Sequence, residues 1–411
     1  MCDDDGGGIL NIAADFPPVP TADWDAAIRA DLKGADEKKL VWRTEEGLSV
    51  RPYYRAEDLA SMPPFPHREP GRAWQIAEEI PEGPEVVRID LLHEEGAHAV
   101  QELAAAVEMG AGQAGLQYVF AIGPYYFLEI AKFRAARLLL PEDSRLTGVT
   151  ALRNKSTLDR YTNLLRVTTE AMSAILGGCD TVVIQPFGFG ARLALNVQRV
   201  LKEEVHLDAV GDVAGGSYYI EKLTAMLADG ARKPAAPIAE TRTAREKSIS
   251  SRRRTLVGVN NYPNLDEKLP EFEAPADGRL AAPFEAIHHR TAEMGRPPQV
   301  LLLTRGDLKM RMARANFCLN FFGCAGFDIV QSAELNPEAE LIVLCSSDPE
   351  YPTLAREICP QTTVPVLVAG NPNDQIEALK AAGVAGFVHV QSDAVQVLTE
   401  WQERIAQRRR A

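Results

Sequence analysis

The chain has 411 residues, 46 % of them apolar and 25 % charged, which at roughly 100–200 residues per domain suits two domains and a linker. A formal net charge of −13 argues against a nucleic-acid binder, which would present a basic face, and no apolar run reaches the roughly 20 residues of a membrane span. The acidic start Met1-Cys2-Asp3-Asp4-Asp5 lacks the positive leader of a secretory signal.

The first dozen residues are rich in Asp and Gly and are expected to be disordered. Thr21 can cap a helix whose Trp24, Ile28 and Leu32 share one face. An extended piece over 48–54 and a Pro-rich loop over 63–70 follow. From Trp74 short apolar runs alternate with longer helical stretches. The spacing predicts strands over 74–77, 86–91, 116–122, 148–152, 181–186 and 208–213, and helices over 98–109, 125–140, 161–176 and 191–203. Such alternation implies a parallel sheet with helices outside it, either an open sheet or a (β/α) barrel. Residues 78–85 are too few for the dozen-residue crossover that joins neighbouring parallel strands. A linker rich in Pro, Ala and charge runs from 231 to 297, with Arg252-Arg253-Arg254 as a solvated turn. A second α/β unit then has strands over 300–304, 328–331, 341–345, 364–369 and 386–390, with helices over 307–322, 350–358, 374–382 and 394–408. Five strands with intervening helices predict a flavodoxin-like doubly wound sheet.

The six cysteines (Cys2, Cys179, Cys318, Cys324, Cys345 and Cys359) form no CxxC pair and fit the reduced thiols of a cytoplasmic protein. Cys318 and Cys324 read as packed small hydrophobes rather than metal ligands. His93 and His98 have poor spacing for a metal and suit solvent or capping roles. His67 and the pair His288-His289 read as loop and linker residues.

Four blocks carry a family resemblance. They are the stretch 121–137 around Gly123-Pro124-Tyr125-Tyr126, the stretch 159–178 opening Asp159-Arg160-Tyr161-Thr162-Asn163, the block Ala214-Gly215-Gly216-Ser217-Tyr218-Tyr219, and Gly258-Val259-Asn260-Asn261-Tyr262-Pro263-Asn264. Together and in this order they resemble the methylmalonyl-CoA mutase family over most of the chain from Trp24 onward. Arg153-Asn154-Lys155-Ser156 and Arg314-Ala315-Asn316-Phe317 resemble its small subunit. The resemblance implies a shortened (β/α) TIM-barrel-like acyl-CoA mutase domain followed by a flavodoxin-like (Rossmann-like) degenerate cobalamin-binding domain. The expected divisions are a disordered 1–20, an N-terminal arm 21–73, the truncated mutase domain 74–230, the linker 231–297 and the second domain 298–411.

In the family's catalytic chains a His in an Asp-x-His-x-x-Gly loop ligates cobalt. Here Lys309, Arg311 and Arg314 replace the Asp, His and Gly. Arginine is always cationic and offers no lone pair to a metal. The site for the cofactor's nucleotide tail corresponds to Ser346-Ser347-Asp348, and the paired glycines to Ala369-Gly370, so a carboxylate enters and one glycine is lost. The catalytic barrel's carbonyl-binding His falls at Thr147, and its substrate-facing Tyr falls in 64–68, which has no Tyr. These replacements imply a subunit with no catalytic, cofactor-binding or metal-ligating residue of its own. Adenosylcobalamin is then expected in a large catalytic partner that interconverts methylmalonyl-CoA and succinyl-CoA within a heterodimer. The helix from Phe127 to Leu140 and the N-terminal arm are candidate contacts with it; packing the chain's own core is their other role. Two further readings are a free-standing acyl-CoA-binding or regulatory module and a self-sufficient acyl-CoA mutase.

Overall fold

The computed structural model describes residues 17–60, 74–234, 236–267 and 278–410. The first dozen residues and the whole Pro-rich loop over 63–70, with His67, lie outside them. The protein is a mixed α/β structure with two five-stranded parallel sheets and a two-stranded antiparallel hairpin. The hairpin joins β1 (Trp42–Arg43) to β2 (Ser49–Val50), and Val50 with Tyr54 enters the core of the first sheet. The helix Thr21–Asp31 forms as expected, yet Trp24 is exposed and Pro20, not Thr21, precedes the first turn.

The first sheet contains β3 (Gln75–Ala77), β4 (Val86–Arg88), β5 (Gln117–Ile122), β6 (Arg145–Thr150) and β7 (Thr181–Val183), in the order β3-β7-β6-β5-β4. Among the described residues it does not close into a barrel: β3 and β4 are its two edges, although only residues 78–85 separate them in the chain. That connector is too short for a crossover helix. Instead Ile80, with Ala77 and Val86, packs on Val119, Val149 and Val183. Tyr118, Phe120 and Ile122 alternate with Val119 along β5 and belong to the large core shared with the helices. One face of the sheet is therefore covered by helices and the other by the small cluster around the connector.

Two expected strands change. The one over 86–91 ends at Arg88, whose guanidinium closes on the Asp90 carboxylate at 2.6 and 2.8 Å, and Asp90–Glu95 is helical. Residues 208–213 form turns and bends. Their Asp212 is drawn to Arg134 on the helix Tyr126–Leu139, while Val210 and Val213 stay exposed and pair with neither edge of the sheet. That helix packs Leu128, Ala131, Phe133, Ala135 and Ala136 into the chain's own core, and Phe127 remains 53 % exposed.

The second sheet contains β8 (Gln299–Thr304), β9 (Asp328–Ser332), β10 (Leu341–Cys345), β11 (Val366–Ala369) and β12 (Val384–Val388), in the order β12-β11-β10-β8-β9. Its two faces carry separate cores, one with Leu302 and Val343, the other with Leu301, Leu303 and Ile342, the alternation expected of strands buried on both sides. The stretch 231–297 is not a bare linker. It contains the helices Ile238–Ser250 and Ala282–Glu293, and it places Ile249, Val259, Phe284 and Ile287 in the second sheet's core. Arg252 is likewise no solvated turn: its guanidinium lies over the Phe317 and Phe321 rings and donates to the Asn260 carbonyl at 2.8 Å.

His288 on the helix Ala282–Glu293 is packed against Gly326, where a Cβ would come within 2.8 Å of its Nδ1 and the backbone φ of +67° already favours glycine. Burial lowers the imidazole from its ordinary 6.5 to about 4. The folded protein keeps this ring neutral where the unfolded chain would protonate it, so its contribution is complete above pH 6.5 and is lost as the pH falls toward 4. His98 and His389 shift in the same direction. Urea midpoints measured from pH 7 to pH 4 are expected to fall, and His288→Gln is expected to flatten that slope without abolishing it.

Candidate functional site

The carboxyl ends of strands in parallel α/β sheets are where such folds place their chemistry. At that end of β5 lies a buried ionic network. The Lys132 ammonium reaches Glu102 at 2.8 Å, Glu129 at 2.7 Å and the carbonyl of Ala121 at 2.7 Å. His93 Nδ1 meets the other Glu102 oxygen at 2.7 Å. All four side chains are buried. Glu129 and Lys132 share one face of the helix Tyr126–Leu139 at i, i+3. Glu102 comes from the helix Ala99–Gly110 and His93 from Asp90–Glu95. Gly123, just past β5, leaves the room: a Cβ there would meet Glu129 Oε1 at 2.9 Å and His93 Cε1 at 3.2 Å.

Burial alone would raise both carboxyls. Lys132 and His93 reverse this for Glu102 and hold it at about 2. For Glu129 burial prevails, and the neighbouring Glu102 adds to it, so its carboxyl is raised. Burial works against the Lys132 ammonium, yet the two carboxylates outweigh it and raise its pKa. A second buried pair lies beside the first: Lys155 donates to both Glu170 oxygens at 2.8 Å, and Asn154 donates to Glu170 at 2.7 Å. Arg153, also buried, donates to the carbonyls of Gly278 at 2.6 Å and Glu94 at 3.2 Å. The space among Glu46, His93, Glu102, Glu129, Arg153 and Arg245 is about 20 Å³, room for a single water.

The first sheet thus carries charged residues that sequence reasoning missed. The signal available was a Glu and a Lys three apart inside an otherwise apolar helix. The expected capping role holds for His98, whose ring accepts from the Gln101 amide at 3.2 Å; His93 is buried in the network. Thr147 lies in the first half of β6, away from this end, and its hydroxyl accepts from Gln117 at 2.8 Å.

The second sheet brings together most of the positions singled out in its sequence. Arg314, on the helix Leu308–Gly323, forms an ion pair with Asp348 at 3.1 Å, and its guanidinium lies 3.3 Å from where a Cβ on Gly370 would stand. Ser346 and Ser347 both donate to Glu350, at 2.5 and 2.6 Å, and the Asp307 amide donates to the same carboxylate at 3.2 Å. These donors hold Glu350 at about 2. The Ala369 carbonyl accepts from Tyr351 at 2.5 Å. Lys309 is exposed and Arg311 half-buried on the first turns of the helix. The ends of β8, β10 and β11 are therefore bridged by the chain's own ions. Among the described residues no cluster of His, Cys, Asp or Glu is placed to hold a metal ion, and no helix is long and apolar enough to cross a membrane.

Lys132→Met would leave Glu102 and Glu129 buried without their cation. It is expected to cost about 3–5 kcal/mol of stability, measured by urea unfolding at pH 7. Adding Glu102→Gln and Glu129→Gln is expected to recover part of that loss.

Comparison with known proteins gives a consistent set. A family model described as methylmalonyl-CoA mutase matches residues 85–238. A methylmalonyl-CoA mutase small subunit from Porphyromonas gingivalis is 28 % identical, with 95 % of this chain and 98 % of that protein covered. The alignment spans 606 residues against 411 here, so long stretches of the relative have no counterpart. A methylmalonyl-CoA mutase small subunit from Streptomyces virginiae is 30 % identical over 76 % of this chain, which spans 63 % of that protein's length. A methylmalonyl-CoA mutase from Cereibacter sphaeroides is 33 % identical over 42 % of this chain and 32 % of its own length.

Proposed function

The chain belongs to the methylmalonyl-CoA mutase family, and we propose that it is a small, non-catalytic subunit that supports a catalytic one. The observation that carries this is the closure of both sites by the chain's own charges. At the first sheet the network around Lys132 leaves about 20 Å³, far below the roughly 300 Å³ or more of a small-molecule pocket. At the second, the Arg314–Asp348 pair lies against Gly370.

Adenosylcobalamin, the cofactor of the family, does not fit these residues. Arg311 offers a cation where a metal ligand needs a lone pair, and Lys309 and Arg314 stand where the orienting Asp and the Gly would be. Arg314 also occupies the space that a glycine would leave clear beside Gly370. The cofactor and the interconversion of methylmalonyl-CoA and succinyl-CoA belong, in this reading, to the large subunit of a heterodimer in the cytoplasm.

The architecture fits the same reading. Strands β4 to β7 are neighbours in chain order, and β3 pairs beyond β7, as the first strand of a closed (β/α) barrel pairs with the last. The first domain, over 74–230, is then a TIM-barrel-like sheet lacking the strands that would stand between β3 and β4. In the second domain, over 298–411, the strand order is 2-1-3-4-5 counted within the unit, the flavodoxin-like arrangement. The arm 21–73 and the segment 231–297 complete the division. Trp24, Leu40, Trp42 and Phe127 are exposed apolar residues of the proposed contact regions and are the surfaces offered to a partner in this reading.

The test is co-expression with a His-bearing catalytic subunit from the same source. The expected result is a one-to-one complex in which the partner is more stable or more active, while this chain alone shows no corrin absorbance after incubation with adenosylcobalamin and no turnover. Turnover by the chain alone, or failure to associate with the partner, would overturn the reading.

A further inference from the structure

One carboxylate at the mouth of the first sheet arrives from the N-terminal arm. Glu45 lies in the turn between β1 and β2. Its Oε2 accepts from Arg245 Nε at 2.5 Å, and its Oε1 accepts from Arg254 at 3.3 Å and from the Tyr125 hydroxyl at 3.5 Å. Arg245 is buried and is fixed by its donation to the Ala97 carbonyl at 2.8 Å. Arg254 stacks on the Tyr125 ring with its guanidinium carbon 4.7 Å from the centroid, and Trp42 flanks the same ring at 5.5 Å. Two oriented guanidinium groups and a phenol around one carboxylate form the kind of donor set with which proteins recognise a free carboxylate ligand.

A second observation points into the same place. Glu46, 9 % exposed, lines the small cavity, and its Oε2 has no hydrogen-bond partner. Arg153, 2 % exposed, lines the cavity too, and its Nε is likewise without a partner. Buried polar atoms are nearly always satisfied by protein or by an enclosed molecule, so the Arg153 N–H is a donor in this space that the chain itself leaves unused, while the Glu46 oxygen calls for a donor and not for a second carboxylate. The hairpin does not need an acid at 45 to form. Its turn is made by Gly47, at a φ of +77°, with the Thr44 hydroxyl accepting from the Leu48 amide, and it is anchored by buried Val50.

We propose that the mouth of the first sheet is a carboxylate-binding site that the chain fills with its own Glu45, and that a small aliphatic carboxylate is the ligand class able to take that place. The hairpin is then a tethered occupant, and its local concentration keeps free carboxylates out. This inference concerns binding alone and stands apart from which subunit performs catalysis.

The test uses the full chain with Glu45→Ala, whose missing fragment is in effect acetate. Thermal unfolding is followed in rising sodium acetate and in sodium chloride of equal ionic strength. The expected result is a melting temperature several degrees below wild type that acetate restores saturably and chloride does not, while the wild type responds to both salts alike. Should Glu45→Ala not fold, Glu45→Gln keeps the volume and removes the charge; ligand-observed NMR is then expected to show acetate binding to this variant and none to the wild type. Acetate acting on Glu45→Ala no differently from chloride, or failing to bind a folded Glu45→Gln, would overturn the proposal and leave Arg245 and Arg254 as counter-ions that only fasten the hairpin.

Discussion

A lysine ammonium buried under three helices must be neutralised where it lies, because an unpaired desolvated charge costs several kcal/mol. Lys132 meets that demand with Glu102 from one helix, Glu129 from its own, and the carbonyl that ends β5. His93 then supports the second oxygen of Glu102. The relative placement of the helices Asp90–Glu95, Ala99–Gly110 and Tyr126–Leu139 follows from satisfying these atoms together. Further charges continue outward from it, through Arg245 to Glu45 and so to the N-terminal hairpin. The arm, the first sheet and the helix Ile238–Ser250 are joined by polar contacts as much as by apolar ones.

This is also where the sequence was least legible. Alternating apolar runs gave β5, β6 and every strand of the second sheet within a few residues, because each has a buried period-two or continuous apolar pattern. The turns over 208–213 were misread as a strand because Val210 and Val213 look apolar in isolation, and no local signal says that the sheet has already ended. The ion pairs of Lys132 and Lys155 join partners up to thirty residues apart, and such pairings have no signature in local periodicity. The replaced positions of the second sheet were read from family motifs. What the motif could not say is that Arg314 is held by Asp348 and lies against Gly370.

The two sheets arrive at a similar state by different means. In the first, charges from four helices, the arm and the loop after β6 leave room for a water. In the second, one helix and two strand-end loops lock a guanidinium, two carboxylates and two serine hydroxyls across the strand ends. In both, most of the charged side chains are paired with one another. In the proposed reading, a member of an enzyme family whose polar groups are paired in this way serves association rather than turnover.

The position of β3 has a consequence for synthesis. Gln75 pairs with Thr181, roughly a hundred residues further on, while β4 to β7 are each paired with a neighbour in chain order. Contacts that close long loops form late. During translation β4 to β7 can assemble as they emerge, but the strand made before all of them must wait unpaired until β7 is complete. The last strand made in this sheet thus sets the moment at which the first one folds, and until then β7 is the open edge that β3 will cover.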